Sequence, residues 1–135
     1  MTIPVGELRG ITPEIAGKLK NLGIKDSDDL IAQCKTPKQR SDFAKKAEVD
    51  AKALMELCNR ADLVRIKGVA GAYSDLLEEA GVDTVKELSG RVPANLQAKL
   101  AEVSAAKKGT GRVPTLAMVE DWVAEAKTLP KALEY

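Results

Sequence analysis

Apolar residues recur along this chain every three or four positions, in short runs separated by small polar residues and glycines. That is the period of helices with one buried face. Ile15, Ala16, Leu19 and Leu22 make the first such face, with Thr12 as its N-cap, Pro13 at the first helical position, and Gly23-Ile24 as a left-handed C-cap with its apolar follower. Asp26 or Ser27 then caps a short helix carrying Leu30 and Ile31. Thr36-Pro37 opens another reaching about Lys46, and Asp50 caps a longer one with Ala53, Leu54, Leu57, Cys58 and Ala61 inward. In the second half a helix ends at Gly81, Thr84 with Glu87 reads as a capping box, and Pro93 starts the next helix. Val113-Pro114 starts the last, with Leu116, Val119, Trp122, Val123 and Ala126 on its inner face. Ala105 to Val113 reads as the longest loop, basic but without the glycine order of a nucleotide phosphate loop.

The halves of the chain echo each other. Leu8-Arg9-Gly10-Ile11 aligns with Ile66-Lys67-Gly68-Val69, and the same offset of 58 pairs Ile15 with Tyr73, Leu19 with Leu77, Gly23 with Gly81, Ile24 with Val82 and Leu30 with Leu88. The repeats are assigned to residues 1–63 and 64–135, packed as one domain, which is what 135 residues can support.

Composition narrows the class. Aromatic residues make up 3% of the chain, while Ala, Leu, Lys and Glu dominate, a mixture that suits helices and starves strands. An all-α fold is expected. No run approaches the roughly 20 apolar residues that cross a bilayer, and Met1 to Gly10 lacks the pattern of a signal peptide, so a cytoplasmic location without membrane contact is expected. Cys34 and Cys58 have no metal-type spacing and read as buried free thiols. The chain has no His, which removes the commonest general base and the commonest zinc ligand together. Acidic pairs such as Glu78-Glu79 and Glu120-Asp121 are splayed apart by the helical turn, and Asp26, Asp28 and Asp29 read as helix caps rather than a metal site. No enzyme, cofactor, metal or small-molecule substrate is expected. Formal charge is +1, and each half is close to neutral, so no global field draws in a polyanion.

An apolar residue, any residue, glycine, an apolar residue and a small one, followed about ten residues later by a helix end at glycine and an apolar residue, occurs at Leu8 to Leu30 and again at Ile66 to Leu88. This pattern resembles the helix-hairpin-helix family. With the paired Arg91-Val92-Pro93 and Arg112-Val113-Pro114, the whole chain is similar to an uncharacterised bacterial family of small tandem helix-hairpin-helix proteins classed as a domain of unknown function. The resemblance implies backbone amides at a glycine turn, at the positive end of a helix dipole, holding phosphate oxygens without reading bases. The family's second glycine is replaced by Thr12 and Ala70.

In the first hairpin Pro13 has no amide to donate and Glu14 repels a phosphate, so that hairpin is read as structural. The second keeps donors at Gly68, Val69, Ala70 and Gly71, with Lys67 and Arg65 beside them. The expected phosphate-binding set is Arg65, Lys67, Gly68, Ala70 and Gly71, with Lys107, Lys108 and Arg112 as outliers of the same surface. The basic run Lys35, Lys38, Arg40, Lys45 and Lys46 is read as a solvated face. Two functions follow: weak, sequence-independent binding of DNA, with RNA the lesser choice, or a protein-interaction adaptor that keeps the fold without nucleic acid. Family precedent puts the first ahead; balanced charge and the missing glycines favour the second.

Overall fold

The computed structural model describes residues 2–69, 72–106 and 113–134. Among them, after a 3-10 turn at Val5–Glu7, lie eight helices: α1 Pro13–Asn21, α2 Ser27–Gln33, α3 Pro37–Ala47, α4 Ala51–Leu63, α5 Ala72–Glu79, α6 Val85–Ser89, α7 Pro93–Ala106 and α8 Leu116–Thr128. The fold is all-α. The described residues contain no β-strand, only an isolated antiparallel bridge between Pro4 and Asp26, where the Ser27 amide donates to Ile3 O (2.9 Å) and the Val5 amide to Lys25 O (3.0 Å).

The helix starts are set by side chains that accept an otherwise orphaned amide. Thr12 accepts from Ile15 N at 3.2 Å, Asp26 from Asp29 N at 2.8 Å, Asp50 from Ala53 N at 3.1 Å and Thr84 from Glu87 N at 3.2 Å. The reciprocal capping box forms at Thr36 and Gln39, each side chain accepting from the other's amide at 3.1 Å. Two helix ends use glycine at positive φ, Gly23 (+86°) and Gly81 (+89°), and there the amides of Ile24 and Val82 reach back to Leu19 O and Leu77 O. Gly68 and Gly81 stand 58 residues after Gly10 and Gly23, and all four are left-handed.

α8 departs from the sequence expectation. It begins at Leu116, not at Val113-Pro114, because the Thr115 hydroxyl accepts the Met118 amide (3.2 Å) and so becomes the N-cap, while the Pro114 carbonyl accepts from Gln97 Nε2 on α7. Leu116 is 44% exposed rather than on the inner face.

Buried apolar residues gather in two clusters. One joins Val5, Leu19, Leu30, Phe43, Leu54 and Leu57, and the other joins Ile66, Leu77, Leu88, Leu100, Val119 and Trp122. The chain crosses between them at the end of α4, where Ala61 and Val64 belong to the first cluster and Leu63 and Ile66 to the second. After α8 it turns back: Leu133, 3% exposed, packs into the first cluster, the Glu134 amide donates to Lys35 O (2.7 Å), and Arg40 Nη2 donates to Glu134 O (2.5 Å). The final segment is therefore a strap across both halves.

Candidate functional site

The turn between α4 and α5 carries the predicted phosphate contacts. Backbone bonds from Arg65 N to Asp62 O, Ile66 N to Leu63 O and Val69 N to Ile66 O tighten it, and Gly68 sits at φ +87°. A side chain there would strain the backbone, and its Cβ would lie 3.5 Å from Trp122 Nε1, because α8 runs alongside the turn. From the same helix Glu125 accepts the Lys67 amide through Oε1 at 3.0 Å. A carboxylate of the chain itself thus stands at the hairpin, on the amide next to those that the sequence offered to a phosphate.

Arg65 is likewise engaged. Its Nη1 donates to Asp62 Oδ1 at 3.0 Å and its Nη2 to Pro130 O at 2.5 Å, tying the turn to the strap. Asp62 is 4% exposed, and its other oxygen accepts the Val85 amide at 2.9 Å. Burial pushes the Asp62 carboxyl above the usual carboxylate range, against the lowering by the Val85 amide and the Arg65 guanidinium. Of the remaining predicted positions, the Lys67 residue is exposed and its amide is the one held by Glu125. Ala70, Gly71, Lys107, Lys108 and Arg112 lie outside the described residues.

Beside the Asp62–Arg65 pair opens a groove of about 400 Å³, walled by α6, the end of α8 and the strap. Its rim carries Lys86, Lys127 and Lys131, all exposed, and its floor includes Val85, Ala126 and Leu133. Among the described residues none of these three lysines forms an ion pair.

A third cluster locks the halves together. Arg60 on α4 donates to Asp75 Oδ1 (2.5 Å), to Ser74 Oγ (3.2 Å) and to the Glu78 carboxylate, while Arg9 Nε reaches Asp75 Oδ2 at 2.8 Å. Burial alone would raise the Asp75 carboxyl; the hydrogen bonds and charges of Arg60 and Arg9 outweigh it and hold it below the ordinary range.

A family model matches residues 9–129. The chain belongs to DUF4332, a domain of unknown function. A search of curated proteins found no match. Nor did a search of solved structures.

In this DUF4332 chain the acids Asp26, Asp28 and Asp29 serve local structure, Asp26 as a cap, Asp28 accepting from the Thr2 hydroxyl and Asp29 from the Lys25 amide. No group of three or more potential ligands gathers among the described residues. No helix there is long and apolar enough to cross a membrane. Cys34 and Cys58 are buried free thiols, as expected, and the neighbouring Cys34 thiol together with burial pushes the Cys58 thiol far above its usual value.

Sequence reasoning missed Asp62, Glu125, Arg60 and the groove lysines, and it placed Arg40 on a solvated face. Arg40 is buried, with its guanidinium on the carbonyls of Cys34, Lys35 and Glu134. Its spacing to Phe43, Ala44 and Ala47 is the signal that was there to be read: the four share one helix face. Asp62 likewise follows Cys58 by four residues on the inner face of α4.

Proposed function

We propose that this DUF4332 chain is a non-catalytic binding module, and that it acts as a protein-interaction adaptor on a helix-hairpin-helix framework of two repeats. One observation carries the reading: beside the hairpin glycine the Lys67 amide is held by the Glu125 carboxylate and the Arg65 guanidinium by Asp62 and Pro130 O, so an acid of the chain itself already stands at the turn. A phosphate arriving at this turn meets a carboxylate that is already in place and repels it. The near-neutral charge supports the same reading, since non-specific nucleic-acid binding rests on a net cationic surface.

Backbone binding of DNA, or of RNA, through the second hairpin is the second reading. The exposed Lys67 beside the left-handed Gly68 supports it. The deciding experiment is a titration against fluorescent duplex and single-stranded oligonucleotides at low and moderate salt. The adaptor reading expects no measurable binding at either. Salt-sensitive binding that Lys67→Glu abolishes and Lys38→Glu, at an exposed position of α3, leaves intact would replace it with the hairpin reading.

A further inference from the structure

We propose that the groove between α6, the end of α8 and the strap seats an extended acidic segment of a partner protein; this rests on the adaptor reading. The groove has a volume of about 400 Å³, within the range of concave ligand sites, roughly 300–1,000 Å³. Its charge is one-sided. At the inner end Asp62 and Arg65 neutralise each other through a 3.0 Å bond, which leaves Lys86, Lys127 and Lys131 without a compensating carboxylate among the residues lining it. In a molecule of net charge +1, three lysines around one depression with no ion-pair partner among the described residues are a local excess.

Three cations on one groove complement a partner that brings carboxylates. The floor selects the kind of polyanion. Leu129, Pro130 and Ala132 add partly exposed apolar surface to the same groove, over the buried Val85, Ala126 and Leu133, and Leu133 is itself fixed in the first core. An extended peptide lays aliphatic side chains on such a floor and carboxylates on the rim. A duplex offers phosphates on a rigid convex cylinder and leaves the floor uncovered. The second basic run of the molecule, Lys38, Lys45 and Lys46, has the same number of charges on the single helix α3 and lines none of the grooves described. It is the natural control.

The test is fluorescence anisotropy of the full chain with a labelled peptide of alternating glutamate and leucine, and with a labelled duplex in parallel. Three proteins are compared: wild type, the triple variant Lys86→Glu, Lys127→Glu, Lys131→Glu, and the charge-matched triple variant Lys38→Glu, Lys45→Glu, Lys46→Glu. All six positions are exposed, so folding is expected to survive, with circular dichroism as the check. The groove triple should weaken peptide binding by at least about tenfold, and the α3 triple by less than about twofold. Equal losses in the two triples overturn the proposal, since only diffuse charge is then at work. If the duplex binds and the peptide does not, the groove proposal and the adaptor reading fail together. If neither binds, the groove proposal alone fails, and the adaptor reading stands for a partner of other chemistry.

Discussion

Asp62 is a carboxylate buried at the junction of α4, α6 and the turn, and it is useful there because two donors meet on it. Replacing it with alanine leaves the Val85 amide and the Arg65 guanidinium without their acceptor, so Asp62→Ala should cost about 2–3 kcal/mol at neutral pH, read from the urea midpoint. Its ionisation nevertheless works against folding: with a folded-state pKa raised by burial, the charged form is penalised as pH climbs through and above the ordinary carboxylate range. Asp75 has the opposite sign. Its carboxyl is held low by Arg60 and Arg9, so its contribution is present above the ordinary value of 3.8 and is lost as pH falls through the folded-state value. The Asp75→Asn protein should accordingly lose less stability than wild type between about pH 5 and pH 2 in parallel urea titrations. Partial exposure of Asp75 keeps that difference modest.

At the scale of elements, a capped helix start is a local contact three residues long, and that is why Thr12, Thr36, Asp50 and Thr84, and the choice of Asp26 or Ser27, could be read as caps without knowing what the helices pack against. Thr36→Ala should cost about 1 kcal/mol, since it removes one half of the capping box. Gly68→Ala should cost about 1–2 kcal/mol from its positive φ alone, because the added Cβ meets Trp122 at ordinary contact distance. A loss well beyond that in thermal melts would mean that α8 sits tighter on the turn than the 3.5 Å spacing allows. The fold class, the glycine turns and the buried thiols were legible for the same local reasons. The start of α8 differs from the sequence expectation because a proline at the first helical position and a threonine cap one residue later compete, and tertiary contacts of Pro114 decide between them. The candidate site was far less legible. Glu125 meets the Lys67 amide across 58 residues, and Lys86, Lys127 and Lys131 become neighbours only when α6, α8 and the strap converge.

Across the whole molecule, the strap and the Arg60 cluster are what join two cores into one body. Arg65 holds the strap at Pro130, Arg40 holds it at Glu134, and Leu133 anchors it in the first core. Leu133→Ala should therefore cost about 2–3 kcal/mol. It should also speed the reaction of the Cys34 thiol with a disulfide reagent in native buffer, since both residues belong to the same buried cluster. An unchanged labelling rate would mean that the strap does not guard this core. The sole tryptophan of the chain, Trp122, lies in the second core with the Tyr73 ring tilted at 60° against it, centroids 5.3 Å apart, and the aromatic of the first core is Phe43. Emission excited at the red edge of the indole band is therefore blind to one half of the protein, while far-ultraviolet ellipticity records the helices of both. Superimposed denaturation curves from the two signals would mark a single cooperative unit. A gap between them would date the loss of one half against the other, with no label and no mutation.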